Sequence, residues 1–522
     1  MDIAGVLEEQ RRIRNTDLAI ISATETRPFG ELQNASHEGA AFLLSLGLKK
    51  GDVVLVFVPM SIELYEVLFS IWRMGAVAMF IDPSVGKETI QKCCKRIQAK
   101  AFIGGFAGLM FRFYISELKR IPITINMGTT FFKNKWSSKN KCSLSLNKGI
   151  SNILLSDPAL ITFTSGSTGL PKVAVRTHEF LISQYEVLKD TLHLIPKEVN
   201  LATLPIFALV NLAAGVTTLI PNANLRQPGH IKPEPVFDQI KTLQPTTAVG
   251  SPAFFKRLLT SPNCGQLQCL SHLYTGGAPV YPSLLTKLQE VMPKSNIVAV
   301  YGSTEAEPIA EFVFGHISKE IILDMQKGKG LYAGSIVRRI ECKIINFLKY
   351  KIKPTCTSEE FESYFCKTNE PGEIMVHGKH VLSGYLNGEG DDENKVKVEG
   401  KVWHRTGDAG KFDERGHLWL LGRCSAVVND EKGILFPFAV EVAIKEIVGI
   451  KNAALCAYAG KRILVIEETS RSYNNINLQK IKSEFRIDQL INMPIPLDKR
   501  HNAKVDYGEL NIKLKKYFGN KG

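Results

Sequence analysis

Apolar residues recur at helical spacing over residues 32–46 and stop at Gly47. The chain then turns through KKGD into VVLVFV, whose unbroken β-branched content predicts a strand buried on both faces. Residues 62–74 repeat the helical pattern up to Gly75, and AVAMFID reads as the next strand. This alternation predicts a layered α/β domain with parallel strands over the first 120 residues. Residues 129–148, rich in Lys, Ser and Asn, read as a linker. LITF and VAVR then predict two short strands on either side of a polar turn. A second α/β stretch runs from Phe180 to about residue 310. Residues 331–423 carry strand and turn signals that predict a smaller β subdomain, and a compact tail follows Arg423. There is no internal repeat and no long low-complexity tract.

The turn is TFTSGSTGLPK, residues 162–172. Successive backbone N–H groups in such a turn form a concave nest for phosphate oxygens. Gly166 and Gly169 allow the positive φ and close approach that a nest needs. Thr164, Ser165, Ser167 and Thr168 add hydroxyl donors, and Lys172 adds a cation at the exit. The order of residues excludes a G-x-x-x-x-G-K-[ST] loop, since Leu170 and Pro171 follow Gly169 and Val173 stands where the metal-binding hydroxyl belongs.

Further motifs follow in order: TGGAP (275–279), YGSTE (301–305), GEIMVHG with GY at 384–385, WHRTGD (403–408), GR at 422–423 and HNAKVD (501–506). With the polar turn, this set resembles the adenylate-forming superfamily of acyl-CoA ligases, luciferases and peptide-synthetase adenylation domains. HRTGD…GHLWLLGR and DKRHNAK look most like the fatty-acid-activating ligases and the olefin-pathway β-lactone synthetases. The resemblance implies an α/β fold. Its large N-terminal domain, residues 1–423, would comprise two α/β lobes plus a distorted β-barrel. A small mobile α+β C-terminal domain would occupy residues 424–522.

It also implies the chemistry, in which a carboxylate attacks the α-phosphorus of ATP, expels pyrophosphate and leaves an acyl-AMP. Holding two anions together while charge builds requires positioned cations, a metal and nest donors. Thr164, Ser165, Gly166, Ser167, Thr168, Gly169 and Lys172 would hold the β- and γ-phosphates. Tyr301 would lie against one face of adenine, with Gly277, Ala278 and Pro279 on the other, and Gly302 and Ser303 beside them. Thr304 would donate to the α-phosphate, Glu305 would hold Mg²⁺, and Asp408 and Arg423 would take the ribose. Lys504 aligns with the catalytic lysine of the family, and Ser425 stands at the hinge position, which is usually Asp or Lys. Asn429, Asp430 and Lys432 lengthen the turn that follows. His178, His404 and His501 lie near motifs but in no Ser/His/Asp order around a G-x-S-x-G elbow, and read as supporting or surface groups.

Amino-acid-activating relatives place Asp after the Phe of LPxF, whereas LPIFALV has Ala208 there, so an ammonium would lack its counter-ion. Phe207, Ala208, Val210, the segment from Gly250 to Phe255 with Ser251, and the face of Ile309 are candidate walls of an acyl pocket. Glu307, unusual beside such a pocket, reads as solvent-facing, with a substrate hydroxyl as the other partner. The acid is therefore expected to be fatty or otherwise hydrophobic. CoA is the expected acceptor. The tail lacks the insertion between CAYAG and KRILV that many CoA ligases carry, which keeps three alternatives open. These are a carrier-protein thiol, release of acyl-AMP, and closure of a β-hydroxyacyl adenylate to a β-lactone. A nucleotide-binding regulator without catalysis is the remaining alternative.

Composition changes little in this picture. The chain has 522 residues, enough for roughly two to four domains. Its net charge of +14 is spread along the sequence; the densest runs, at 133–141, 349–353 and 513–516, come without an aromatic RNA-binding signature. A surface that attracts ATP and carboxylates is the expectation, rather than nucleic-acid binding. Ten cysteines show no metal-ligand spacing, as in a reducing cytoplasm. The longest apolar window, 67–81, is broken by Arg73 and too short to span a bilayer.

Overall fold

The helix Ile62–Arg73 starts where the Ser61 hydroxyl accepts the N–H of Leu64, and its buried face carries Tyr65, Leu68, Phe69 and Trp72. Trp72 donates its indole N–H to the carbonyl of Ala159 at 2.8 Å, which fastens this helix to a neighbouring strand. The computed structural model describes residues 2–128, 134–136, 152–164, 171–447, 449–468, 475–497 and 505–519. Its first lobe is a sheet in the order Ile123–Asn126, Ala101–Gly104, Val53–Phe57, Val77–Met79, Pro158–Thr164, Lys172–Thr177. All neighbours are parallel except the last two strands, which form the hairpin around the polar turn. The helices Ile62–Arg73 and Lys87–Arg96 connect successive parallel strands, and Phe29–Ser45 leads into the first of them; the apolar pattern predicts the helices at 29–45 and 62–73.

A second, longer sheet has a parallel centre of Thr217–Leu219, Val199–Ala202, Thr247–Gly250, His272–Gly276 and Asn296–Ser303. At one edge it takes in Leu18–Ile21, parallel to Thr217–Leu219, although that strand precedes the whole first lobe in sequence. At the other edge the chain reverses after Ser303 into the antiparallel strand Ala306–Val313. That strand pairs with Leu331–Ile336, which opens the β-rich region Leu331–Arg423. The expected β subdomain is thus joined edge to edge with the second lobe. The two lobes pack through Ile62–Arg73 and Pro205–Ala214, where the Tyr65 hydroxyl donates to the carbonyl of Pro205 at 3.4 Å.

Beyond Arg423, a three-stranded sheet of Ile450–Tyr458, Lys461–Glu468 and Gln489–Asn492 carries the helices Pro437–Lys445, Asn475–Glu484 and Tyr507–Gly519 on cores of its own. The long turn at 429–432 is part of a hairpin, Val428–Asp430 with Gly433–Leu435. Asp430 pins it by accepting two bonds from the buried Arg462 guanidinium at 2.7 and 2.8 Å. Tyr458 pairs directly with Lys461, so only Ala459 (φ +48) and Gly460 (φ +73) join the first two strands. Two successive left-handed residues make the tight hairpin turn that matches strand twist. Among the described residues no helix is long and apolar enough to cross a membrane, and every cysteine is a free thiol.

The join between the second lobe and the β-rich region depends on Gly334. Its φ is +82, and a Cβ there would stand 2.2 Å from the Glu311 carbonyl oxygen and 2.6 Å from Phe312 Cβ. Gly400 has a similar φ of +85 but no heavy atom within 4 Å of such a Cβ. Gly400→Ala is expected to cost about 1 kcal/mol for the backbone alone. Gly334→Ala adds overpacking against the strand and is expected to cost about 3 kcal/mol in total. Equilibrium urea unfolding measures both; equal losses would show that the join tolerates the extra carbon.

Candidate active site

The carboxyl ends of the parallel strands converge on one region, because Thr164, Ala202, Gly250, Gly276 and Ser303 all end strands there. Ligands in open α/β sheets bind outside such ends. Arg176 spans the two lobes at this point. Its buried guanidinium donates to Thr162 Oγ1 in the first sheet and to the carbonyl of Thr304 in the second, both at 2.6 Å. The sequence motifs do not include Arg176; its one signal is a cation in a strand otherwise apolar.

Glu305 and Lys172 meet across Tyr385. The Tyr385 hydroxyl donates to Glu305 Oε1 at 3.0 Å, and Lys172 Nζ lies 5.6 Å from the centre of the Tyr385 ring. Lys172 also stands 3.6 Å from Glu393, with its stem against Gly390, where φ is +94. Burial, then the Glu305 charge, raises the Tyr385 hydroxyl far above its ordinary value. Behind the ring lies Lys395, 2% exposed, with Nζ 5.3 Å from the ring centre. It donates to the carbonyl of Leu382 and stands 3.2 Å from His404 Nδ1. Burial lowers Lys395 to about 8 and, with the Lys395 charge, holds His404 well below its ordinary value, so the imidazole is neutral. Tyr385 belongs to the GY motif, whereas Lys395 does not stand out as functional in the sequence.

Asp408 forms a second cluster. It accepts from the Tyr301 hydroxyl at 2.8 Å and pairs with Arg423 at 3.2 Å. Its turn is held from below: buried Glu373 accepts two bonds from Arg405, at 2.9 and 2.7 Å, and one from the Gly407 N–H at 3.2 Å. Gly407, at φ +70, allows that turn. Burial first, then Asp408, raises the Tyr301 hydroxyl well above its ordinary value.

The remaining expected residues are placed as follows. Gly277 is exposed at φ +77, with no heavy atom within 4 Å of a Cβ, and Ala278 and Pro279 flank it half-buried. Gly302 packs on residues 306 and 307, Ser303 Oγ is buried without a partner among the described residues, and Thr304 is exposed. Ser425 is exposed in the turn after Arg423. Ser165, Gly166, Ser167, Thr168, Gly169, His501 and Lys504 lie outside the described residues. His178 is fully buried and stands 3.4 Å from the N–H of Ile3, away from any surface role.

Next to the clusters a narrow cleft is lined by Phe207, Leu188, Leu192, Val249, Val300 and the segment from Tyr274 to Gly277. Phe207, a candidate wall, lines this cleft. Ala208 does not: it has no exposed surface and belongs to the core between the lobes, because the helix Pro205–Ala214 turns that face toward Ile62–Arg73. Val210 is buried in the core beneath the cleft, and the Ser251 hydroxyl caps the helix Pro252–Leu258 by accepting from Phe254. Glu307, expected to face solvent, lines the cleft instead. Burial pushes its carboxyl up to about 7, against the opposing charge of Arg176.

Among the described residues no group of three or more His, Cys, Asp or Glu side chains could cage a metal. Glu305 alone fits a hard cation that takes most of its oxygens from phosphate and water.

The profile of the AMP-binding enzyme family matches residues 7–386. The chain is 28% identical to an olefin β-lactone synthetase of Stenotrophomonas maltophilia over 93% of this chain and 91% of that protein. It is 25% identical to 4-coumarate–CoA ligase 3 of Arabidopsis thaliana over 79% and 71%. In structure it is similar to amide bond synthetase McbA from Marinactinospora thermotolerans, with a TM-score of 0.80 at 18% identity over 99% of both chains. ATP-bound MatB from Rhodopseudomonas palustris gives the same TM-score and identity, over 99% and 100%. These structures share the fold, with its large mixed α/β part and its separate small sheet at the C-terminal end.

The two arginine–carboxylate pairs around Asp408 differ in burial, and so in expected worth. Glu373 is 3% exposed, so Arg405→Met strands a buried charge and is expected to cost about 3–5 kcal/mol. Arg423 is 54% exposed, and Arg423→Met is expected to change stability by less than about 1 kcal/mol. Guanidinium chloride unfolding of both variants checks this; similar losses would mean that the Glu373 pair does not carry the turn.

Proposed function

The chain belongs to the AMP-binding enzyme family, and from that membership we propose the reaction and the roles of its residues. The reaction is activation of a carboxylic acid by ATP: a carboxylate oxygen bonds to the α-phosphorus, pyrophosphate leaves, and an acyl-AMP forms. The acid is hydrophobic along most of its length, in keeping with the apolar cleft walls. One observation carries the reading. Lys172, Glu305 and Tyr385, from motifs far apart in the chain, meet near the carboxyl ends of the strands, with a cation and a carboxylate on one tyrosine ring.

Lys172 balances phosphate charge at the mouth of the polar turn. Glu305 holds Mg²⁺, which neutralises charge on the phosphates when bound. Asp408, an acceptor-only group already fixed by Tyr301 and Arg423, takes the ribose hydroxyls. Lys504 belongs to a C-terminal domain, 424–522, that turns about Ser425, so the lysine reaches the reacting carboxylate in the first half-reaction and leaves for the second. The acceptor in the second half-reaction is the thiol of CoA. A second reading is supported by the two-residue turn at Ala459–Gly460, which stands where many CoA ligases carry an insertion. In that reading the acyl-AMP goes to a carrier thiol or, as the name of the Stenotrophomonas relative suggests, closes to a β-lactone. A panel of acids with and without CoA, read by pyrophosphate release and product mass, tests both. No release with any acid would leave a nucleotide-binding regulator.

Asp408→Asn removes the charge that strengthens its accepted bonds, by roughly 1.5–3 kcal/mol per contact. The KM for ATP is expected to rise on the order of tenfold or more. An unchanged KM would take Asp408 off the ribose.

Lys504→Ala separates the half-reactions. Pyrophosphate exchange is expected to fall by roughly 10²–10³, as for other transition-state donors. Consumption of supplied acyl-AMP with CoA is expected to stay near the wild-type rate. Equal loss in both assays would mean that the lysine serves both steps, and loss in neither would remove HNAKVD from the chemistry.

A further inference from the structure

Lys172 and its ion-pair partner are unequally exposed. The lysine side chain is 12% exposed, whereas Glu393, 3.6 Å from its Nζ, is 54% exposed. The lysine is enclosed by the Tyr385 ring, 5.6 Å from Nζ, and by Gly390, where a Cβ would stand 3.0 Å from the lysine Cε and 3.1 Å from its Cδ. A second cation, Lys395, lies 5.3 Å from the centre of the same ring, while Glu305 is engaged by the ring hydroxyl. An ammonium this enclosed needs a counter-charge at all times. Glu393 has no such need, because an exposed carboxylate turns to water at little cost. At 3.6 Å the two form an ionic contact without a close hydrogen bond, which makes the pair easy to exchange.

The loop that carries Glu393 is fastened on both sides of Lys172. Residues 386–394 read LNGEGDDEN, with four carboxylates and no cation. Glu389 pairs with Arg96 of the helix Lys87–Arg96, which ties the loop to the first lobe. Asp391 accepts the N–H of Tyr385 at 2.8 Å, and the Asn394 side chain donates to the Gly390 carbonyl at 2.6 Å. Two of the four carboxylates thus anchor the backbone over the lysine. Glu393 is left with its carboxylate between Lys172 and solvent, and it belongs to none of the sequence motifs.

We propose that Glu393 is a resident counter-ion of Lys172, which yields the lysine to the terminal phosphates of the nucleotide and takes it back as pyrophosphate leaves. The proposal rests on the reading that Lys172 holds phosphate. No covalent bond changes in this exchange, and Glu393 is a positioning residue, since it touches the lysine and not the reacting atoms. While phosphate occupies the lysine, the displaced carboxylate remains on an anchored loop beside a polyanion. A like charge about 4–5 Å away, at close to the screening of water, weakens binding about fivefold. Glu393 therefore limits how tightly the product is retained, and it gives Lys172 a partner at the moment the product departs.

The probe is inorganic pyrophosphate, with its Kd measured by titration calorimetry and its inhibition constant measured against ATP. The proteins are wild type, Glu393→Gln, Asp392→Asn, Lys172→Met and the double variant Lys172→Met/Glu393→Gln. Glu393→Gln is expected to bind pyrophosphate about fivefold more tightly than wild type and to be inhibited by it at correspondingly lower concentration. Asp392→Asn removes an equal charge from the same loop at an exposed side chain that forms no ion pair with Lys172, and is expected to change Kd less than twofold. Lys172→Met is expected to weaken pyrophosphate at least tenfold and to abolish the effect of Glu393→Gln in the double variant. Unchanged or weaker binding in Glu393→Gln, an equal gain in Asp392→Asn, or a gain that survives in the double variant would overturn the proposal. Pyrophosphate binding undiminished in Lys172→Met, or absent from wild type and Glu393→Gln alike, would remove the phosphate role of Lys172 and the proposal with it. Loss in Lys172→Met without gain in Glu393→Gln would leave that role standing and sink the proposal alone.

Discussion

One buried guanidinium holds the site together. Arg176 donates to Thr162 in the first sheet and to the Thr304 carbonyl in the second, with both distances at 2.6 Å. Each lobe alone presents only half of what the chemistry needs. Thr164 and Lys172 belong to the first hairpin, whereas Thr304, Glu305 and, farther along, Asp408 belong to the second sheet and its extension. Burial opposes the charge of Arg176, while Glu305 and Glu307 favour it. A charge in that position is stable only while its donors stay bonded, so any slip of one lobe against the other costs the full desolvation of the guanidinium. The spacing between Lys172 and Glu305 therefore has an electrostatic lock as well as an apolar seam.

The legible part of this arrangement is local. Continuous β-branched runs such as VVLVFV and helical spacing over residues 62–74 identify elements whose cores lie nearby in sequence, and the structure has both. What periodicity reports is that a face is buried, not which neighbour buries it. The strand Leu18–Ile21 pairs with Thr217–Leu219 across the whole first lobe, and its pattern of apolar residues says nothing of that. Ala208 illustrates the same limit at the site: LPIF identifies the helix, but the turn of the helix sends Phe207 to the cleft and Ala208 to the inter-lobe core. Motif order brings out Tyr301, Glu305 and Asp408 because they sit in runs of distinctive residues. Arg176 and Lys395 sit in ordinary ones, and only the folded chain brings them to the site.

The charges near Tyr385 also interact in a way that no single motif shows. Lys395 and Lys172 approach the same ring, and Glu305 takes the hydroxyl of that ring. The ring faces attract cations, while the hydroxyl donates to the carboxylate, so one tyrosine mediates between two lysines and a glutamate. His404, held neutral by burial and by the Lys395 charge, sets no second cation against Lys395, which keeps like charges apart at close range. The result is a cluster with two cations at one ring and a carboxylate on its hydroxyl.

The C-terminal part meets the second lobe through a contact of a different kind. Lys445 lies 4.3 Å from the ring centre of Tyr281, and Glu446 accepts from the N–H of Ser283 at 3.3 Å. Burial lowers Lys445 to about 8 and raises the carboxyl of Glu441, held by Tyr507 and the Leu455 N–H, to about 7. Apolar packing is present as well, with Phe438 so close to Gly422 that a Cβ would stand 2.5 Å from its own. A seam of charged side chains on aromatic and backbone groups differs from the dry core between the lobes. Glu441 is bonded within the C-terminal part, while Lys445 and Glu446 reach across to Tyr281 and Ser283. Val442 and Phe438 add apolar contact with the core of the second lobe, so the seam after Arg423 mixes charged and apolar contacts, whereas the two lobes are joined at Arg176 by the bonds of one buried guanidinium.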